Sequence, residues 1–243
     1  MGRDVFSQGE YMVRFDWGES GVRHLAPQST VVIIVDVLSF SSAVDVAASR
    51  HGAIFPYPDQ DASAEVFAAS VGAVLAGPRG AVASLSPHAL RQLPLGARLV
   101  LPSRNGAVCV LEAMKSRALV LAGSLRNAQA VAQFVQSLGP GTTVTVIAAG
   151  ERWPDGSLRP AWEDMVGAGA ILSKFPEEWL SPEARAARGA YQGAQSNLLG
   201  FLRECASGRE LIVKGFENDV AAAGEADVSS TVPLLREGAF ERG

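Results

Sequence analysis

The scarcities in this 243-residue sequence exclude several function classes at once. Lysine occurs three times, at Lys115, Lys174 and Lys214, and no G-x-x-x-x-G-K-[ST] stretch exists. A phosphate-binding loop of the NTPase kind is therefore excluded. Histidine is limited to His24, His51 and His88, which are scattered. Neither H-E-x-x-H nor G-x-S-x-G occurs, so histidine-based nucleophilic chemistry is not expected. Cys109 and Cys205 are the two cysteines. They are too few for a disulfide framework and lack the close pairing of a zinc site, so two reduced, partly buried thiols are expected. Basic residues are spread along a chain of net charge −4, which leaves no electrostatic footprint for nucleic acid. The longest aliphatic run, Val31 to Val35, is far too short to span a bilayer. The first twenty residues carry Asp4, Glu10, Asp16 and Glu19 and no apolar stretch. No signal peptide and no membrane partner are expected, and the cytoplasm is the expected compartment.

What is present is the composition of an ordinary globular protein, 48% hydrophobic and 19% charged, which argues against disorder. Tyr11 to Trp17 alternates loosely, as an edge strand would. Thr30 to Val37 is a β-branched run ending near an aspartate and reads as a buried parallel strand. A helix is predicted over 39–49, a strand over 53–57, and a helix with an acidic first turn over 61–70. Further strands are predicted over 98–101, 118–122 and 142–148, with helices over 107–115 and 127–137 between and after the first two. Long helical stretches follow over 161–175 and 182–205, then a last strand over 231–235. This alternation predicts a three-layer α/β/α fold with a mostly parallel or mixed sheet. Gly167-Ala168-Gly169 falls inside a predicted helix rather than at a strand-to-helix turn, and so reads as close helix packing.

Ligands in such sheets sit at the carboxyl ends of strands. Four places there carry chemistry. Asp36 ends the Val31 run, either as a cap of the next helix or as a metal ligand or catalytic acid. Ser103, Arg104, Asn105 and Gly106 open a helix directly after a strand, where backbone N–H groups and a guanidinium suit an anion. Ser124, Arg126 and Asn127 repeat that arrangement after the next strand, which suggests a shared anion site. Finally, Glu151 follows the strand ending near Ala148, and Glu163-Asp164 opens a helix. Acids in a first turn often simply suit the helix dipole. Asp164 shares a helix face with Ala168, Ile171 and Phe175, so it should point inward; near Asp36 it would make an oxygen-rich site suited to Mg²⁺.

These residues resemble a known family. Val35-Asp36-Val37-Leu38 followed by Ser41-Ser42 resembles the opening motif of the 2-phosphosulfolactate phosphatases. Asn105-Gly106 resembles their Thr-Thr-Asn-Gly-Thr turn, and Gly123-Ser124 with Asn127-Ala128 their Gly-Ser-x-x-Asn-Ala segment. Ala149-Gly150, Glu163-Asp164 and Gly167-Ala168-Gly169 resemble a later stretch, and Gly215-Phe216-Glu217, Asp219, Asp227 and Thr231-Val232-Pro233 the C-terminal pattern. The resemblance implies a Mg²⁺-dependent phosphomonoester hydrolase of the coenzyme M route, converting 2-phospho-3-sulfolactate to 3-sulfolactate and phosphate. Asp36 and Asp164 would be catalytic, and Asp36, Glu151, Glu163 and Asp164 would hold the metal. It also implies one domain of two similar halves, about 1–115 and 116–243, and leaves a homodimer open. Two departures stand out: Ser39 occupies a position where the family carries arginine, and Pro78 one where it carries glutamate. Arg104 and Arg126 are expected to replace the lost positive charge on a small anionic phosphomonoester. The alternative is a non-catalytic binder of a phosphorylated or sulfonated acid.

Overall fold

The computed structural model describes residues 5–243; residues 1–4, including Asp4 of the acidic N-terminal stretch, lie outside them. The chain begins with β1 (Val13–Trp17) and α1 (Gly18–Leu25), then β2 (Val31–Val35) and α2 (Phe40–Ser49). Next come β3 (Ala53–Tyr57), α3 (Ala62–Ser70), β4 (Val74–Leu75), β5 (Arg98–Pro102) and α4 (Gly106–Ala113). They are followed by β6 (Leu119–Gly123), α5 (Ala128–Ser137), β7 (Val144–Ala148), and a short hairpin of β8 (Glu151–Arg152) and β9 (Leu158–Arg159). The remainder is α6 (Trp162–Leu172), α7 (Pro182–Ala194), α8 (Leu198–Glu204), α9 (Ala206–Val213), α10 (Glu217–Ala223), β10 (Pro233–Arg236) and β11 (Ala239–Arg242).

β2 is central because its five β-branched side chains can be buried on both faces, and all five are. It pairs in parallel with β7 and β6, while β1 pairs in parallel with β7 from the edge. A second parallel group runs β3, β5, β4. The C-terminal hairpin β10–β11 joins the two groups through antiparallel pairs to β6 and β3, giving one nine-stranded mixed sheet. Because β1 and β2 pair with β6 and β7, a division near residue 115 does not separate the strands.

Strand alternation sorts the core into layers. Val32, Ile34, Val120, Ala122, Leu99 and Leu101 face α2 and α4. Val31, Ile33, Val35, Leu121 and Val146 face α5, α6 and α7. Helices thus cover both faces of the sheet, and the protein is a three-layer α/β/α structure.

Three antiparallel junctions separate β6 from β3, so the two parallel groups run in formally opposite senses. Twist of roughly 20–25° per strand pair, accumulated across the five steps from β2 to β5, turns one group strongly against the other. The turns that follow β2 and β5 meet, with Gly106 N 2.9 Å from the Asp36 carboxylate.

Some elements differ from the sequence expectation. The predicted helix over 182–205 breaks into α7 and α8 at Gln195–Asn197, where Ser196 and Asn197 are weak helix formers. α1 was not predicted: it starts at Gly18 with φ +58° and spans barely two turns. β11 was also missed, although Glu237-Gly238 supplies the two consecutive positive φ angles of a tight hairpin turn. No helix among the described residues is long and apolar enough to cross a membrane.

Candidate active site

Asp36 stands where β2 runs out, and the chain turns at once into α2. Both of its carboxylate oxygens are held by main-chain amides. Oδ1 accepts from Phe40 N at 3.0 Å, and Oδ2 accepts from Gly106 N at 2.9 Å, with the Ser103 hydroxyl at 3.4 Å. The side chain therefore caps one helix and ties the start of a second to it, so the capping and the site readings coexist. Gly106 is required for closeness rather than for an unusual turn. A Cβ there would lie 2.7 Å from Asp36 Oδ2 and 2.6 Å from the Phe40 ring.

Asp164 reaches the same place from α6. Its Oδ1 accepts from Val37 N at 2.7 Å and its Oδ2 from Gly150 N at 2.9 Å, which ties the ends of β2 and β7 together. Its helix face is buried as expected, with Ala168, Ile171 and Phe175. Gly150 adopts φ +70°, a conformation disfavoured for side-chain-bearing residues, as it turns its N–H toward Asp164. Gly167 and Gly169 allow the close packing inferred for them: a Cβ on the first would sit 2.5 Å from Val37, and on the second 2.1 Å from the Ala187 carbonyl.

Two further acids complete the cluster. Glu163 is buried, and its Oε2 has no hydrogen-bond partner. Glu151 Oε2 accepts from Asn105 Nδ2 at 2.7 Å. Burial, then the charge of Asp36, pushes the Glu151 carboxyl up to about 7, with the Asn105 hydrogen bond opposing. Burial likewise raises Asp36, and it raises Asp164 well above the usual carboxylate range, reinforced by Asp36 and Glu163. No Lys, Arg or His forms a salt bridge to any of the four among the described residues. Like charges gathered out of water with no counter-charge are costly.

Among the described residues no three His, Cys, Asp or Glu side chains converge closely enough to form an all-protein metal cage. The donor set nonetheless fits Mg²⁺, a hard cation that is often held by one or two carboxylates with water completing the shell. The orphaned Glu163 oxygen and the uncompensated acids are the features such an ion would satisfy.

A pocket of about 410 Å³ opens beside the cluster, lined by Asp36, Ser39, Gln60, Ser103, Arg104, Asn105 and Glu151 among others. A neighbouring pocket of about 210 Å³ shares Asn105 and Glu151. The turn after β5 thus lies at the site, but Arg104 is exposed and paired with Asp59 at 3.2 Å.

The turn after β6 is not brought there, which corrects the expectation of a shared anion site. Ser124 and Asn127 form a capping box, and Asn127 also donates to the Ala122 and Thr231 carbonyls. Arg126 donates to Asp45 at 2.9 Å, to Glu225 at 2.6 Å and to the Ala222 carbonyl. Its guanidinium is consumed by the fold and is not free to replace the missing arginine.

Sequence reasoning gave neither Arg79 nor Asp219 a role. Arg79 donates to Asp219 at 2.5 Å and to the Ser39 hydroxyl at 2.8 Å. Spacing alone could not have paired residues 140 positions apart. Both cysteines are free, and burial raises both thiols, Cys205 to about 12, so neither is a thiolate nucleophile.

Comparison with known proteins assigns the chain to a family. The profile of the 2-phosphosulpholactate phosphatase family matches residues 20–238. A probable 2-phosphosulfolactate phosphatase of Thermotoga maritima is 27% identical over 89% of this chain and 95% of its own length. The 2-phosphosulfolactate phosphatase of Methanothermobacter thermautotrophicus is 30% identical over 88% and 90%, and a probable one of Nostoc punctiforme 32% over 84% and 88%. With the profile covering nearly the whole chain and these relatives covering most of both partners, the chain belongs to the 2-phosphosulpholactate phosphatase family of phosphomonoester hydrolases.

Proposed function

We propose that this protein hydrolyses 2-phospho-3-sulfolactate to 3-sulfolactate and phosphate with Mg²⁺ as its cofactor. The observation that carries the reading is the set of three buried carboxylates, Asp36, Glu163 and Asp164, with half-buried Glu151 beside them; none is in a salt bridge, and Glu163 keeps an orphaned oxygen. Asp36 and Glu163 would hold the ion, with Asp164 and Glu151 adding negative charge beside it. When bound, Mg²⁺ would neutralise and polarise the phosphoryl oxygens.

The remaining work belongs to the protein. Asp164 keeps the ends of β2 and β7 in register through its two amide contacts. Asn105 holds Glu151 by one oxygen, and Glu151 lines both pockets. Glu151, whose carboxyl is raised by burial and by the charge of Asp36, would be the group to take a proton from an attacking water or return one to the departing alkoxide. Holding ester and water together in a confined pocket supplies the rest of the acceleration.

The test is phosphate release from 2-phospho-3-sulfolactate by purified protein, with and without Mg²⁺. Turnover that is lost with a chelator and restored by Mg²⁺ is expected. Protein that releases no phosphate from this ester with any divalent cation would sink the proposal.

A further inference from the structure

Ser39 borders the same pocket as Asp36, on the turn between β2 and α2. Its hydroxyl oxygen accepts an N–H from Arg79 at 2.8 Å, and no other hydrogen bond of that hydroxyl exists among the described residues. A serine hydroxyl that accepts from a guanidinium keeps one proton to give, and accepting from a cation makes that proton a better donor. Arg79 is fixed in turn. Its other nitrogen meets Asp219 at 2.5 Å, and the guanidinium lies 5.7 Å from the centre of the Phe216 ring. Asp219 is buried and also accepts from the Ser86 hydroxyl and His88 N. Four segments of chain therefore converge to orient one hydroxyl.

The Arg79–Asp219 pair alone would tie the loop carrying Arg79 to α10. The Ser39 contact extends that pair to the pocket wall. Ser39 shares the β2–α2 turn with Asp36, whereas Glu151 and Asn105 come from the turns after β7 and β5. The reacting phosphoryl group belongs beside the acids, where the cation fits. The non-reacting sulfonate and carboxylate of the ester must then find donors elsewhere in the pocket.

We propose that Ser39 is a substrate-binding residue that donates its hydroxyl proton to the non-reacting sulfonate or carboxylate of the ester, and that Arg79, anchored by Asp219, is the positioning residue that presents it. This inference rests on the hydrolase reading above and names which residues recognise the acid tail.

The test uses 3-sulfolactate, which carries both acid groups and no phosphoryl group, and inorganic phosphate as the contrasting probe, each titrated calorimetrically. Ser39→Ala is expected to weaken 3-sulfolactate binding about tenfold, the cost of losing one hydrogen bond to a charged group. Phosphate binding should change by less than about threefold, since it loses no such bond. Arg79→Lys keeps a cation beside Asp219 but cannot fork to both partners. It should weaken 3-sulfolactate binding in the same direction while its melting temperature stays near wild type. The double variant should be no weaker than Ser39→Ala, because the lysine change acts through the serine.

In turnover, Ser39→Ala should raise KM for 2-phospho-3-sulfolactate with kcat within about threefold, as loss of uniform binding does. Wild-type affinity for 3-sulfolactate in Ser39→Ala, equal weakening of both probes, or full additivity in the double variant overturns the proposal. So does a wild-type protein that does not bind 3-sulfolactate. A wild-type protein that binds it through Ser39 yet releases no phosphate from the ester upholds this inference and removes the hydrolase reading.

Discussion

The acids at the ends of β2 and β7 and the charges around Arg126 are both withdrawn from water, but only the second group neutralises itself. Asp45 is fully buried against Arg126, receives the Ser229 hydroxyl at 2.6 Å, and shares the arginine with Glu225, which also binds Arg91. Each acid there has a cation. Asp36, Asp164, Glu151 and Glu163 have amides, an asparagine and each other. A buried ion pair with every partner supplied is a fastening between segments, here α2, the turn after β6 and the C-terminal chain. A buried group of like charges is unstable by itself, and it makes sense where an ion or substrate completes it.

The contrast can be broken most severely at Asp36. Asp36→Asn should lower kcat by about a thousandfold, the scale on which a lost electrostatic contact to a transferring group is felt. The metal-free variant loses a repelling charge but also one of the two amide acceptances of Asp36, so its melting temperature should fall only modestly. Mg²⁺ should raise the melting temperature of wild type by binding the folded form and should do so much less for this variant. A large drop in metal-free stability would instead make Asp36 a fastening like Asp45.

Arg126→Ala tests the other side. Leaving Asp45 buried without its cation should cost about 3–5 kcal/mol in denaturant unfolding. The protein that remains folded should keep the wild-type KM. A raised KM at unchanged stability would return Arg126 to the substrate site.

The pH dependence of stability sharpens the comparison further. Glu151 titrates near 7 when folded and near 4.5 when unfolded, so the folded chain binds more protons between those values. Metal-free stability should therefore fall as pH rises from about 4.5 to 7. Glu151→Gln should flatten that slope by about 2 kcal/mol or less, given that the group is only half-buried. The smallest effect belongs to Arg104. Its ion pair with Asp59 is exposed, so Arg104→Ala should change stability by less than about 1 kcal/mol.

The layered fold was legible in the sequence because period-2 and period-3.6 patterns are local. β3 emerged with the predicted bounds, and β2, α3, α5 and β7 within a few residues. The misses were also local in origin. β4 is two residues long, and β11 follows a turn of two positive φ angles that carries no Asn-Gly signal. Within the site, Asp36 and Asp164 were legible because each sits at a strand end or a helix start on a face that must turn inward. The two Asn-bearing turns looked alike and are not. One serves the site, while the other is consumed by its own cap and by Arg126's acids.

The order of strands and helices and the position of acids at strand ends and a helix start were determined by the linear pattern of residues. Tertiary structure alone decided which charges found partners. Whether Arg126 meets Asp45 or an anion, whether Glu163 keeps a bare oxygen, and whether Arg79 reaches Ser39 depend on segments up to 140 residues apart. Local pattern records the exposure of a face, whereas electrostatic compensation is a property of distances between faces, and those exist only once the chain has folded.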